Sequence, residues 1–71
     1  MDSEDKVAIR LYGKEEEYEP IGLVGMAVHA LKQKGRHEEA SELLGRVRHY
    51  LKEAETVRAI VDEYVEVKML D

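Results

Sequence analysis

Two segments of alternating apolar and polar residues lie at opposite ends of this sequence, and they restrict its fold more than any other feature. The first is Lys6–Gly13 and the second is Tyr64–Leu70. Their apolar members are Val7, Ile9 and Leu11 in the first segment, and Val65, Val67 and Met69 in the second. A period of two residues is typical of a half-buried β-strand. We predict a strand in each segment and expect the two strands to pair.

The residues that follow the first strand have the longer period of a helix. Pro20 suits the first helical position, and Gly35 is a typical helix C-cap, so we predict a helix from Pro20 to Lys34. Its main apolar stripe is Ile21, Val24, Val28 and Leu31, and its second apolar side is Leu23, Met26, Ala27 and Ala30. A helix that is apolar on two sides is usually central in its domain. We therefore expect this helix to be covered on both sides.

A second helix is predicted to begin at His37 or Glu38. Its expected buried face is Ala40, Leu43, Leu44, Val47 and Leu51. The apolar stripe drifts near Lys52–Thr56, and Arg58 falls where an apolar residue is expected, so we predict a break before a third helical segment. The predicted fold class is α+β, with two terminal strands pairing around a helical hairpin or a three-helix unit that packs on one face of the sheet.

The composition indicates one small folded domain. Hydrophobic residues make up 44% of the chain, too much for a disordered tail, and 71 residues allow a single core. We expect residues 1–5 to be a frayed acidic tail and residues 6–71 to form the domain. Because cysteine is absent and so small a core is marginal, we expect the chain to form a homo-oligomer.

The location that the sequence favours is the cytoplasm. The longest apolar stretch is short and is interrupted by His29, so we expect no membrane-spanning helix. The first residues are acidic and lack the basic, apolar and small-residue order of a secretory signal.

The sequence contains no recognisable catalytic motif. Its hydroxyl residues besides tyrosine are Ser3, Ser41 and Thr56, and no nucleophile elbow or phosphate-binding glycine loop occurs. The three histidines His29, His37 and His49 are not spaced by four residues as helical metal ligands would be. We therefore expect a protein that is not an enzyme and that uses no cofactor or metal.

Three glycines lie inside predicted helices. Gly22 and Gly25, with His29 one turn further on, form a narrow stripe that another helix can approach closely. Gly45 lies in the middle of the second helix, where glycine costs about 1 kcal/mol relative to alanine. We predict that Gly22, Gly25, His29 and Gly45 lie at an interface.

The charges are segregated along the chain. Residues 1–28 and 53–71 each carry a net charge of −4, whereas residues 29–52 carry +3 and contain all three histidines. The candidate ligand-binding residues in this cationic segment are Arg36, Arg46, Arg48, His49 and Lys52.

On the second helix, we expect one face to be shared by Ser41, Gly45, Arg48, His49 and Lys52, opposite Leu44, Val47 and Leu51. Arg46 can also pair with Glu42, four residues earlier. Three interpretations remain open for the cationic segment: a solvated surface, a protein interface, and a site for an anion or a nucleotide. The segment is too small to neutralise many phosphates of duplex nucleic acid. Its positive charge is also too modest for a membrane-surface site, and it shows no belt of aromatic residues.

Two resemblances accompany these patterns. Ala30-Leu31-x-x-x-Gly35-Arg36-His37-Glu38-Glu39-Ala40 resembles the turn between the two helices of a tetratricopeptide repeat. It occurs once, whereas such arrays need several copies, so we interpret it as an ordinary helical hairpin.

The segments Tyr18–Ala27, Gly35–Ala40 and Glu63–Glu66 are together similar to small accessory proteins of phages and prophages of Gram-positive bacteria. The resemblance extends over residues 6–67 and implies an accessory factor, in some cases one that counters host defence. The sequence thus predicts a non-catalytic binding protein that acts as a homo-oligomer on a host protein, or alternatively traps a small anionic nucleotide.

Overall fold

A computed structural model of the chain describes residues 6–14 and 17–70. The strands are β1, Val7–Tyr12, and β2, Val65–Leu70. Between them lie α1, Pro20–Gln33; α2, His37–Val47; a 3₁₀ turn, Arg48–Tyr50; and α3, Ala54–Tyr64. The fold is α+β, as predicted, with three helices between the two strands. The predicted acidic tail at residues 1–5 lies outside the described residues.

The two terminal strands pair, and they pair in parallel. The register places Val7 beside Val65 and Ile9 beside Val67, and it brings the apolar sides of both strands to one face of the sheet. Parallel strands need a connection of a dozen residues or more, and the three helices supply it. The predicted pairing is confirmed.

The end of β1 depends on a glycine. Gly13 has φ +102°, a conformation that L side chains rarely adopt, and a Cβ at this position would lie 2.6 Å from a carboxylate oxygen of Glu17. Its N–H donates to the carbonyl of Leu70 at 3.2 Å. The Tyr18 hydroxyl donates to the carbonyl of Tyr12 at 2.6 Å. These two hydrogen bonds fix the chain as it leaves the sheet for α1.

The turn between α1 and α2 is built by a second glycine with positive φ. Gly35 has φ +77°; its N–H donates to the carbonyl of Lys32 at 3.0 Å, and the N–H of Arg36 donates to that of Leu31 at 2.8 Å. This pair of bonds is the Schellman arrangement, which satisfies the last carbonyls of a helix. The predicted helix end at Gly35 is confirmed, and the turn reverses the chain into α2.

The predicted break before the third helix is also present, and it begins earlier than expected. α2 ends at Val47, and the 3₁₀ turn leads to α3 at Ala54. Arg48, His49 and Lys52 therefore lie beyond α2. The prediction that they share one face of this helix with Ser41 and Gly45 is wrong. The reason is that the tighter 3₁₀ turn changes the direction of each side chain relative to an α-helix.

One apolar core joins both strands to all three helices. Helix α1 packs against α2, α3 and β1, and α3 also packs on β2. The buried side chains are Val7, Ile9, Leu11, Leu23, Val24, Ala27, Val28, Leu31, Ala40, Leu43, Val47, Val57, Ile60, Val61, Tyr64 and Val65. Burial of apolar area on this scale is the main favourable term in folding.

Two expectations about burial are wrong. On α1, Ile21 is 58% and Met26 is 38% exposed, although the other members of the two predicted apolar stripes are buried or partly buried. On α2, Leu44 is 42% exposed, and Leu51 beyond its end is 52% exposed. So small a domain has too few elements to cover a helix all round, and the 3₁₀ turn carries Leu51 away from the buried stripe.

Candidate functional site

The Arg46 side chain joins α2 to α3. Its Nη1 lies 2.6 Å from Oε1 of Glu63 and its Nη2 lies 3.2 Å from Oε2, a two-point ion pair. The guanidinium carbon also lies 5.8 Å from the centre of the Tyr64 ring. The expected pairing with Glu42 is wrong, because α3 brings a carboxylate within reach of both guanidinium nitrogens.

Tyr64 completes this cluster. Its hydroxyl accepts a hydrogen bond from Arg46 Nη1 at 3.3 Å and donates one to Glu42 Oε1 at 2.8 Å. The hydrogen bond from Arg46 lowers the pKa of Glu63, and those to Glu63 and Tyr64 raise the pKa of Arg46. Burial raises the pKa of Tyr64. The cluster of Glu42, Arg46, Glu63 and Tyr64 holds the two helices that flank residues 48–53.

Arg36 lies at the opposite end of α2 from the other cationic candidates. Its Nη1 is 3.9 Å from Oε1 of Glu39, at the turn after α1. Because an α-helix rises about 1.5 Å per residue, the length of α2 separates Arg36 from Arg48 by roughly 18 Å. The structure therefore does not bring Arg36 into one site with Arg48.

The remaining cationic candidates lie together in the connection from α2 to α3. Arg48 and His49 belong to the 3₁₀ turn, Lys52 follows it, and all three side chains are exposed. The His49 ring meets that of Tyr50 edge-on, with 6.5 Å between the ring centres. Within residues 6–14 and 17–70, neither Arg48 nor Lys52 forms an ion pair.

Exposed apolar side chains accompany these cations. Leu44, Tyr50 and Leu51 are 42%, 40% and 52% exposed. Gly45 lies beside Leu44, and a Cβ built on it would meet no atom within 4 Å. We name this set the connection surface: Leu44, Gly45, Arg48, His49, Tyr50, Leu51 and Lys52. Leu44 and Leu51 were assigned to the buried face of the second helix from sequence, and the structure places both on the surface.

The other predicted interface residues lie on the outer side of α1. Gly22, Gly25 and His29 are exposed, and a Cβ on either glycine would meet nothing within 4 Å. The described part of this chain thus places no helix against the stripe. Together with the exposed Ile21 and Met26, these residues form what we name the α1 outer face. The sequence predicted the glycines, but it assigned Ile21 and Met26 to covered sides.

Metal sites and membrane-spanning helices are two other features that the described residues could contain. No group of three or more His, Cys, Asp or Glu in this part of the chain could hold a metal ion. Within the same residues, no helix is long and apolar enough to cross a membrane.

Comparison of the chain with protein-family models, curated proteins and solved structures found no match in any of the three. The candidate site therefore stands on its own geometry: two separate exposed surfaces, one cationic and apolar, the other apolar and rich in glycine.

Proposed function

We propose that this chain is a small non-catalytic binding protein that acts as a homo-oligomer and captures a protein partner on its connection surface. The observation that carries the proposal is the exposure of Leu44, Tyr50 and Leu51 beside Arg48, outside a core that is complete without them. Aromatic residues and arginine are enriched at protein interfaces and dominate their energetics. The partner's matching surface would carry carboxylates around an apolar anchor.

A protein partner suits this surface better than a small ligand does. Small-ligand sites are concave and enclose most of the ligand, whereas Arg48, His49 and Lys52 all project from an exposed turn. A protein surface can cover an exposed turn of this kind from outside. With the phage resemblance of the sequence, the proposed partner is a host protein, and the chain is an accessory factor in the cytoplasm.

One observation favours the alternative, a trap for an anionic nucleotide. Arg48 and Lys52 have no carboxylate partner among the described residues, and the backbone at Gly45 is open on one side. Arginine binds phosphate through its planar fork of donors. The cations and the open backbone together provide donors for a phosphate group.

Site-specific photo-crosslinking identifies the protein partner. A crosslinking residue at Leu51 should label one host protein, whereas the same residue at Glu55, exposed on α3, should not. With that protein purified, calorimetry should show about tenfold weaker binding for Leu51→Ala and Tyr50→Ala, the usual effect of truncating a hot spot. The matched control Glu55→Ala should bind like wild type.

The alternative is tested on the same purified chain. Titration with mono-, di- and cyclic nucleotides should give no heat and no change in melting temperature. A nucleotide that binds wild type and not Arg48→Ala would overturn the protein-partner proposal in favour of the trap. Equal labelling from Leu51 and Glu55, or unchanged affinity in the Leu51 and Tyr50 variants, would contradict the proposed surface.

A further inference from the structure

The α1 outer face is a second exposed surface that the core does not use. Successive residues of an α-helix are about 100° apart, so Gly22, Gly25, Met26 and His29 lie within one arc of the helix. Ile21, 58% exposed, borders this arc. An exposed stripe with two glycines allows the backbone of another helix to approach closely.

Charges of opposite sign lie at the two ends of this face. Glu17 and Glu19 precede α1, and both are exposed. Lys32 and Lys34 lie at its other end and are also exposed. The face therefore runs from an acidic end through an apolar middle to a basic end.

We propose that the α1 outer face binds the same face of a second copy of this chain, with the two α1 helices antiparallel. The two-fold axis would pass between Gly25 and Met26. Gly25 of each copy would then lie opposite Met26 of the other, and Gly22 opposite His29. Each glycine leaves space for the larger side chain that faces it.

The charges specify this arrangement. About this axis, Glu19 of one copy lies opposite Lys32 of the other, each about 10 Å from the axis along the helix. A parallel pairing would instead place like charges together, which is unfavourable. A two-fold interface must be self-complementary, and the antiparallel pairing satisfies this requirement.

This inference rests on the self-association part of the proposed function and names its partner and its surface. One helix face is small compared with the usual stable interface, so we expect a dissociation constant in the micromolar range. The connection surface lies outside the contact and stays free in both copies.

Sedimentation equilibrium with charge-reversed variants tests the pairing. At concentrations above micromolar, the full wild-type chain should approach twice its 8.2 kDa mass. Glu19→Lys and Lys32→Glu should each weaken the dimer about tenfold, since each places two like-charge pairs in the interface. The combined variant Glu19→Lys with Lys32→Glu should recover the wild-type dissociation constant.

Recovery of the wild-type dissociation constant in the combined variant requires contact between two copies and cannot arise from an ion pair within one chain. Within one chain these two residues lie at opposite ends of α1, roughly 20 Å apart, and both reversals oppose the helix dipole. The combined variant should therefore melt lower as a monomer while it dimerises like wild type. Glu55→Lys, a charge reversal on the exposed side of α3, is the matched control and should leave the dimer unchanged.

Gly25→Gln separates loss of contact from loss of folding. Glutamine is the better helix former, and a Cβ at this position meets no atom within 4 Å, so the monomer should melt at the same temperature or higher while the dimer weakens. A wild-type chain that stays monomeric, or a combined variant that does not recover, would overturn the proposal. If Glu19→Lys is monomeric and still binds the protein partner, capture of the partner does not depend on the dimer. If partner binding fails while the charge pairing holds, only the capture of a protein partner falls.

Discussion

Arg46 on α2 and Glu63 on α3 form a two-point ion pair, with Nη1–Oε1 at 2.6 Å and Nη2–Oε2 at 3.2 Å. The chain leaves α2 and enters α3 through residues 48–53, so this ion pair joins the two helices on either side of that connection. It thereby fixes the angle at which the connection surface is presented. Arginine suits this role because its planar fork matches a carboxylate.

Removal of this ion pair should lower thermal stability by a few degrees. Arg46→Met and Glu63→Gln should each lower the melting temperature, and the double variant should lower it by less than the sum of the two, since both remove one interaction. A thermal melt followed by circular dichroism measures this. Fully additive effects would show that the two side chains act independently.

The same pair predicts how stability changes in acid. The pKa of Glu63 is lowered in the folded state by the hydrogen bond from Arg46. The stabilisation of the folded state that Glu63 provides is therefore complete above the ordinary pKa of a glutamate. It is lost as the pH falls through the lowered pKa. Denaturant melts from neutral pH to strong acid should show that the free energy of unfolding falls less steeply for Glu63→Gln than for wild type. Glu55→Gln, on an exposed carboxylate of the same helix, should retain the wild-type slope.

Tyr64→Phe should destabilise the domain by about 0.5–1.5 kcal/mol, the usual net value of a hydrogen bond. The substitution removes the hydroxyl that accepts from Arg46 and donates to Glu42, while the ring still fills its place in the core. Tyr12→Phe is the matched control, since Tyr12 is 69% exposed. Urea unfolding compares the two variants, and equal effects would contradict the role of the Tyr64 hydroxyl.

Neighbouring leucines on α2 should respond very differently to the same substitution. Leu43 is 0% exposed, so Leu43→Ala should cost about 2–5 kcal/mol of unfolding free energy. Leu44 is 42% exposed, and Leu44→Ala should cost less than about 1 kcal/mol. Chemical denaturation of both variants tests the assignment of α2's buried side, and similar losses would contradict it.

Substitution of alanine for glycine should have opposite effects on stability at Gly45 and at Gly35. At Gly45 a Cβ meets no atom within 4 Å, so Gly45→Ala should stabilise the chain by roughly 0.5–1 kcal/mol. At Gly35 the φ of +77° strains any L side chain, and Gly35→Ala should destabilise it by about 1–2 kcal/mol. Urea unfolding measures the stability of both variants. A loss of stability at Gly45 would mean that something packs closely against this position.

Local patterns sufficed to predict much of the fold. The alternation around Ile9 and Val67 located both strands, and Pro20 and Gly35 located the ends of α1, because strand period and helix termination are properties of neighbouring residues. The parallel direction of the strands was not predicted. It depends on how many helices reverse the chain between them, and the sequence left a hairpin and a three-helix unit both open.

The errors concern contacts that local patterns do not contain. Leu44 and Leu51 continue an apolar stripe in the sequence, yet both are exposed. Leu44 lies at the edge of the buried side of α2, which Ala40, Leu43 and Val47 occupy, whereas Leu51 follows the 3₁₀ turn that redirects the chain after Val47. Arg46 had a carboxylate four residues away at Glu42, but α3 supplies Glu63 in a better geometry. Gly22 and Gly25 were predicted to lie at an interface, and this remains a prediction.

Self-association through the α1 outer face is tested most directly by a dilution series of the isotope-labelled wild-type chain, followed through its backbone amide signals by nuclear magnetic resonance. We predict concentration-dependent shifts at Gly22, Gly25 and His29, and constant signals across the strands and the connection surface. Shifts centred on Val7–Tyr12 or Val65–Leu70 would instead indicate association through a sheet edge. That result, or a spectrum that does not change with concentration, would contradict the claim that the α1 outer face binds a second copy.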